Sequence, residues 1–283
     1  GGVRGYNGAS VQVQNNVSLI DVSGLFSVGT VTGNASIYNN DSLVTLDGLH
    51  VTSVLGTLTI YGNQNLTDID ALSTLTSAGA VSITQNPSLT TLTGLENVQA
   101  ISGELTVGDN DTLTSLDAFQ LARVDGSVLI DANTEMVTIA ASGTADFGLI
   151  GGNLTIRDCA ALTALTGIAF DSISGNLSVS NNASLTDISA LSSLERISAL
   201  TIASNPVLTS LNGLEGLTNV NGNVFVYDNN ALVDLAALSD TIIAGTFKMY
   251  KNNSLQDFTG ASGTSELANV TVRGDLYIGE PSS

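Results

Sequence analysis

Apolar residues recur along this chain with two short periods, and the combined pattern repeats about every 23 residues, a period typical of repeat proteins. The stretch LTIYGNQNLTDIDAL at residues 58–72 returns as VSITQNPSLTTLTGL at 81–95 and as LTVGDNDTLTSLDAF at 105–119. Each copy begins with two apolar residues two positions apart, which predicts a short strand with one face inward. The apolar positions that follow are three apart, and this spacing favours a coil bending around an interior over a helix of period 3.6. Each copy is therefore predicted to form one turn of a solenoid.

One polar position, three residues after an apolar strand residue, aligns the copies. It is occupied ten times by asparagine and once by cysteine, and the interval between successive copies stays nearly constant along the chain. This regularity predicts an all-β, single-domain β-solenoid of about eleven to twelve coils, with an N-terminal segment at 1–10, the solenoid at 11–283 and an incomplete last coil at 276–283. The aligned positions are Asn16, Asn40, Asn63, Asn86, Asn110, Asn133, Cys159, Asn182, Asn205, Asn229 and Asn252.

The repeated asparagine has a physical role at the point where each strand ends. There the chain turns inward, and backbone N–H and C=O groups enter the interior without strand partners. A side-chain amide has two donors and an acceptor, so amides stacked at a coil spacing of about 4.8 Å can form a ladder that satisfies these groups. Cysteine replaces asparagine at this position of leucine-rich repeats. We therefore expect Cys159 to be structural, since the only histidine, His50, lies several repeats earlier and at an unrelated position of the repeat.

Two longer phrases carry a family resemblance: GNLTIRDCAALTALTGI at 152–168 and GNLSVSNNASLTDISALSSLERI at 175–197. Residues 11–278 resemble the leucine-rich-like coils of receptor L domains and of related fungal and microbial cell-surface proteins. The resemblance implies a right-handed β-solenoid on a secreted or surface-anchored chain, often glycosylated, so the expected location is extracellular or at the cell surface. It implies no catalytic residue, because such families share coils and differ in what they bind.

The outward positions of the predicted strands indicate a binding surface. Five of the six tyrosines lie there, and the aromatic residues gather near the two ends of the face. Exposed aromatic rows are typical of surfaces that contact sugar rings or another protein, although tyrosine also favours strands without any ligand. Ice binding would need regular Thr-x-Thr strands, and the second outward column is too uneven for that. The candidate face comprises Tyr38 and Tyr61 in one patch and Phe225, Tyr227, Tyr250 and Tyr277 in the other.

Composition and charge narrow the functional classes. The 283 residues are 43% hydrophobic and 12% charged, which is typical of a folded chain, and the net charge of −19 argues against nucleic acid or anionic lipid as a partner. The chain contains no apolar run long enough for a transmembrane helix, so we expect no direct membrane insertion. The acidic pairs Asp68 with Asp70 and Asp109 with Asp111 share the solvated context of most coils. We expect a non-enzymatic protein with no catalytic residues, no metal and no cofactor.

Ten Asn-x-Ser/Thr triplets without an intervening proline are candidate N-glycosylation sites. Five of them, at Asn16, Asn40, Asn110, Asn182 and Asn252, are ladder residues that we expect to be buried and unmodified. The other five are expected to be exposed, three of them at the same corner just before a strand. These candidates are Asn34, Asn65, Asn153, Asn176 and Asn269.

Two functions remain open from the sequence. The first is a structural or adhesive protein of the cell surface whose strand face contacts glycans or proteins. The second is a subunit of an extracellular filament in which copies associate head-to-tail, since neither GGVRGYNGAS at the start nor LYIGEPSS at the end has the features of a polar cap. Lys248, Lys251 and Arg273 would favour head-to-tail contact with an acidic body. The alternative is that caps or an anchor belong to a longer chain.

Overall fold

The computed structural model describes residues 8–25, 28–140, 145–166, 168–255 and 269–279, and the side chains of 145, 146 and 168–171 are outside the described part. The predictions that concern residues 1–7 and 280–283 also lie outside it. Within the described ranges the chain forms three short 3-10 helices, at Asp70–Thr74, Ser189–Leu191 and Ala236–Leu238. The strands are β1 Val11–Gln14, β2 Gly29–Val31, β3 Ala35–Tyr38, β4 Val51–Tyr61, β5 Ser77–Thr84, β6 Ala100–Ile101, β7 Leu105–Gly108, β8 Arg123–Val124, β9 Val128–Asp131, β10 Ala145–Ile150, β11 Leu154–Arg157, β12 Ile168–Ile173, β13 Leu177–Ser180, β14 Arg196–Ile197, β15 Leu200–Ala203, β16 Asn219–Val220, β17 Val224–Tyr227, β18 Ile242–Ile243, β19 Phe247–Tyr250, β20 Thr271–Val272 and β21 Leu276–Ile278.

Successive coils stack through parallel strand pairing. The main strand of each coil pairs in register with the main strand of the next, from β1 with β3 through to β19 with β21. A shorter strand precedes many of these main strands and pairs in the same way, and β14, β16, β18 and β20 form a separate four-stranded sheet. The structure confirms the predicted all-β architecture, a parallel β-solenoid with a period of about 23 residues.

The interior is a continuous column of apolar side chains, with one layer for each coil. In β3 the side chain of Ile37 is fully buried whereas Tyr38 is half-buried, and most of the other main strands show the same alternation. The exceptions are β7 and β15, which end on a buried residue, and the terminal strands β1 and β21, which have no buried residue. Beyond the strand, Leu66, Ile69 and Leu72 are fully buried at intervals of three residues. Burying a side chain of this size contributes about 1.5–3 kcal/mol. The period-3 pattern therefore marks inward positions of a coil, as the sequence predicted.

A column of glycines allows close approach of the coils at the corner before most of the main strands. At Gly126 a β-carbon would lie 2.6 Å from the carbonyl oxygen of Gly103 in the preceding coil. The same two residues are joined by a backbone hydrogen bond of 2.9 Å. At Gly126 a side chain would therefore collide with the backbone of Gly103. Before β15 the equivalent position is Ser198, whose backbone N–H donates to the carbonyl of Gly175 at 2.9 Å. The column comprises Gly33, Gly56, Gly79, Gly103, Gly126, Gly152, Gly175, Gly222, Gly245 and Gly274.

Candidate functional site

A ladder of side-chain amides runs through the interior beside the ends of the main strands. The backbone N–H and Nδ2 of Asn110 donate to Oδ1 of Asn133 at 3.2 and 3.3 Å, and Nδ2 also donates to the carbonyl of Ile83 at 2.9 Å. Its own Oδ1 accepts from the backbone N–H of Asn86 at 3.1 Å. The residue before each ladder position has a positive φ, 52° at Asp109, which turns the chain inward. Eight asparagines of the ladder are fully buried: Asn40, Asn63, Asn86, Asn110, Asn133, Asn182, Asn205 and Asn229.

The prediction of burial is wrong for the first and last residues of the ladder. Asn16 is exposed and Asn252 is only half-buried, because in the described structure each has an amide neighbour on one side. Asn16 still donates through Nδ2 to Oδ1 of Asn40 at 3.1 Å, and Asn252 accepts from the backbone N–H of Asn229 at 3.0 Å. The ladder therefore has a polarity, since in every bond between two neighbouring ladder amides the donor is the asparagine nearer the N-terminus.

Cys159 lies at the ladder position that the sequence assigned to it, between Asn133 and Asn182. Its thiol donates to the carbonyl of Arg157 at 3.4 Å and accepts from the backbone N–H of Asn133, while its backbone N–H donates to Oδ1 of Asn182 at 3.1 Å. Burial raises the pKa of the Cys159 thiol to about 11. The thiol is therefore neutral near pH 7 and shielded from solvent, which are properties of a structural cysteine.

We expect Cys159 to resist thiol reagents while the protein is folded. The side chain is fully buried, and its raised pKa leaves almost no thiolate to react at mildly alkaline pH. The measurement is the rate of reaction with an aromatic disulfide reagent, with and without denaturing guanidinium chloride. One thiol should react rapidly in the denatured chain and none in the native one. Rapid labelling of native protein would show that the thiol is accessible.

The C-terminal part of the strand face holds a cluster that we call the C-terminal aromatic patch: Phe225, Tyr227, Lys248, Tyr250 and Tyr277. Tyr227 and Tyr250 lie in register on β17 and β19, and their rings are stacked with centroids 4.8 Å apart and planes 1° apart. The Lys248 ammonium lies 5.3 Å from the ring centre of Tyr250 and 6.0 Å from that of Tyr277. Partial burial raises the pKa of Tyr250, so its phenol remains neutral. The patch thus combines aromatic surface with hydrogen-bond donors.

The strand face is the surface formed by the outward residues of the main strands. Its central part separates the C-terminal aromatic patch from Tyr38 and Tyr61. Those two tyrosines lie in register on β3 and β4, and Nε2 of Gln12 donates to the Tyr38 hydroxyl at 3.0 Å. Near the centre, Arg157 donates to the Asp131 carboxylate through two bonds of 3.1 and 2.7 Å. The strand face is therefore two aromatic patches divided by a polar segment.

Two residues at outward positions of the main strands are not accessible to solvent. Gly108 and Ala203 point outward on β7 and β15, yet both are buried. Their side chains are too small to rise above the larger residues around them, and at Gly108 even a β-carbon would lie 3.0 Å from the carbonyl oxygen of Asp131. An outward position is therefore not always a surface position.

The two acidic pairs lie on the outer surface. Desolvation and then the charge of Asp68 raise the pKa of Asp70, and desolvation followed by the charge of Asp131 raises the pKa of Asp109. Repulsion among acidic neighbours, added to desolvation, accounts for these directions. Within the described ranges, no group of three or more His, Cys, Asp or Glu residues is arranged to hold a metal ion.

The five candidate glycosylation asparagines are exposed: Asn34, Asn65, Asn153, Asn176 and Asn269. At Asn34 and Asn153, Oδ1 accepts a backbone N–H from the next coil at 3.0 and 2.8 Å. The amide nitrogen, to which a glycan would be attached, is not used in those bonds. At Asn65 and Asn269 the amide nitrogen itself donates to an oxygen of an earlier coil, at 2.8 and 2.7 Å. The corner before the strand is therefore the better acceptor position.

The structure shows a second outer face, which the sequence pattern did not reveal. In the described coils, the residues two and four positions after the ladder residue point outward on either side of an inward Leu or Met. At the fourth position the residue is exposed and β-branched in all ten coils where it is described. The sequence pattern that could have revealed this face is a repeated Leu-Thr or Leu-Val pair, which resembles the sequence of an ordinary loop. We call this row the β-branched column: Ile20, Val44, Thr67, Thr90, Thr114, Val137, Thr163, Thr186, Thr209 and Val233.

Comparison with known proteins assigns no function. No protein-family model matches the chain, and no curated protein is similar enough to count as a match. In the part of the chain that the structure describes, no helix has the length and apolar character needed to cross a membrane. Functional inference therefore rests on the solenoid and its outer faces.

Proposed function

We propose that this protein is a non-enzymatic repeat protein of the cell surface or extracellular space, whose strand face contacts neutral glycans. The regular short coils, inward leucines and Asn/Cys ladder support a leucine-rich-repeat-like protein of the receptor L-domain type. Exposed glycosylation triplets at Asn34, Asn153 and Asn176 support an extracellular glycoprotein. A net charge of −19 favours a dispersed surface protein, because like charges keep its β-rich body from aggregating.

The C-terminal aromatic patch carries the glycan proposal. Sugar rings pack on the faces of aromatic side chains, and Tyr277, which is 51% exposed, offers such a face beside the stacked pair of Tyr227 and Tyr250. The Lys248 ammonium and the phenol hydroxyls can donate to sugar hydroxyls. The acidic body disfavours anionic glycans by long-range repulsion. A neutral glycan with several rings therefore fits this patch best.

Replacing the stacked pair tests this proposal. We expect the full chain to be retarded by neutral polysaccharides in affinity electrophoresis, and Tyr227→Ala/Tyr250→Ala to weaken binding about tenfold or more, because aromatic anchors dominate such contacts. The matched control is Tyr38→Ala/Tyr61→Ala, which removes the other tyrosine pair of the same strand face and should leave binding unchanged. Equal weakening in both variants, or binding only to a protein partner, would contradict the glycan proposal.

A second proposal is that copies associate head-to-tail into an extracellular filament. Leu276 and Ile278 continue the inward columns of Phe247 and Met249, yet they are 52% and 56% exposed. The polarity of the ladder matches donors at one end of a copy with acceptors at the other, so a second copy can continue the stack. Electron microscopy at rising concentration should show filaments that Leu276→Asp/Ile278→Asp abolishes, and a control Leu55→Asp on the outer surface retains. Rods of one length at every concentration would contradict this association.

A further inference from the structure

The β-branched column and the outward column that flanks it, two positions after each ladder residue, carry almost no charge. None of the ten residues of the β-branched column is charged, and in the flanking column Glu135 is the one charged residue among those that are described. The chain as a whole has 26 acidic residues and a net charge of −19. Charge is therefore concentrated on other surfaces, and this face fits an uncharged partner with a regular repeat.

Strand propensity does not by itself explain the column. The residues one position further along, such as Thr138, Ala164 and Asp187, form parallel bridges between coils. That adjoining column includes four aspartates, at Asp21, Asp68, Asp187 and Asp234. β-branched residues are favoured in strands, but here the restriction to them falls on the exposed column and not on the bridged one. The restriction of this column to β-branched residues is therefore explained better by a contact outside the protein than by strand formation.

Hydrogen bonds hold the column in register from coil to coil. In seven of its nine steps the backbone N–H donates to the carbonyl of the equivalent residue in the preceding coil, at 2.9 to 3.3 Å. The hydroxyls of Thr67, Thr90, Thr163 and Thr186 donate to these same carbonyls at 3.1 to 3.3 Å. The hydroxyl of Thr67 also lies 3.1 Å from the Asp68 carboxylate. These bonds give the methyl and the hydroxyl oxygen one repeated orientation in two neighbouring pairs, Thr67 with Thr90 and Thr163 with Thr186, at a coil spacing of about 4.8 Å.

We propose that this face, the β-branched column with its flanking column, binds the surface of ice through its one regular column; in place of the Thr-x-Thr strands that the strand face would need, it presents a single row of β-branched residues that continues through ten coils. Rows of methyl groups and hydroxyl oxygens at a spacing of about 4.8 Å are close to the oxygen repeat of ice, so they can hold a first layer of water in a lattice-like arrangement. The methyl groups offer water no competing partner, and within the two columns Glu135 is the one described charged group that would order water differently. The face is distinct from the C-terminal aromatic patch, so the ice-binding proposal and the glycan-binding proposal are independent and can be tested separately.

Ice recrystallisation assays on the full chain test this inference. The wild-type chain is expected to keep ice crystals small and to shape single crystals, at concentrations where serum albumin does neither. Thr90→Lys/Thr114→Lys places two charges in the middle of the column and should lower this activity about tenfold or more, as loss of a central contact does. The matched control Thr84→Lys/Thr106→Lys makes the same change of charge in the same coils, but on the strand face, and should retain full activity.

A milder pair of substitutions covers the case in which the lysine variant loses its fold. Thr90→Ser/Thr114→Ser removes two methyl groups and keeps the hydroxyls, so it should melt like the wild type and still lose a measurable part of the activity. Absence of any wild-type effect on ice would overturn the inference. So would equal loss in the strand-face control, or retention of full activity by both column variants. Binding of the column to a crystalline neutral polysaccharide or to a second copy, without ice activity, would also overturn it.

Discussion

Asn110→Ala is expected to lower the free energy of unfolding by about 3 kcal/mol or more, since each buried group left unsatisfied costs about 1–3 kcal/mol. The side chain accepts from the backbone N–H of Asn86 at 3.1 Å and donates to the carbonyl of Ile83 at 2.9 Å, both inside the protein. Alanine leaves both partners without this bond, in a place that water does not reach. Urea denaturation followed by circular dichroism measures the change.

The control for this substitution is Asn65→Ala, which removes an exposed amide whose Nδ2 donates to the carbonyl of Asp41 at 2.8 Å. A change within about 1 kcal/mol is expected there, because both groups remain accessible to water. Equal costs for Asn110→Ala and Asn65→Ala would show that the buried ladder does not stabilise the fold.

The opposite change is Cys159→Asn, which adds an amide between Asn133 and Asn182. It should stabilise the protein by about 1 kcal/mol, because it joins the two parts of the ladder.

Gly126→Ala is expected to be nearly as damaging, for a steric reason. The added β-carbon would lie 2.6 Å from both the carbonyl carbon and the oxygen of Gly103, and backbone atoms cannot move aside as a flexible side chain can. Overpacking of this kind costs about 1–3 kcal/mol and more where the surroundings are rigid. The measurement is again the urea midpoint, converted to a free energy with the measured slope.

Gly24→Ala provides the matched control, because no atom lies within 4 Å of the position of its β-carbon. We expect it to be neutral or slightly stabilising, since alanine restricts the unfolded chain more than glycine does. If Gly126→Ala were as harmless as Gly24→Ala, the coils would not be packed as closely at the glycine corner as the structure shows.

The fold could be predicted because its determinants are periodic in the sequence. The alternation that buries Ile37 and half-exposes Tyr38 is a spacing, and so is the position of Asn110 after its strand. The coil and the ladder can therefore be predicted from a repeated spacing alone, and no long-range contact has to be known. The ends were predicted less well, since exposure of Asn16 depends on having no amide neighbour on one side in the described structure.

The outer faces were harder to predict because they depend on packing between coils. The positions of Tyr227 and Tyr250 followed from strand alternation, but their stacking at 4.8 Å depends on register and side-chain direction. Burial of Gly108 likewise results from the size of its neighbours, which alternation does not encode. The β-branched column was missed because its exposure becomes visible only when the coils are stacked. Sequence periodicity thus predicts which residues point outward, and packing decides which of them form a surface.

Both surface proposals depend on coils held at one spacing by the buried amide ladder, and amide hydrogen exchange measures that most directly. The backbone N–H groups of Asn63, Asn86 and Asn110 donate to the next ladder amide at 3.1, 3.1 and 3.2 Å, and all three residues are fully buried. We predict that these amides exchange only through global unfolding, as slowly as the strand amide of Leu105, which donates to Ser127 at 2.9 Å. Rapid exchange of the ladder amides while the strand amides remain protected would contradict a solenoid held together by this ladder.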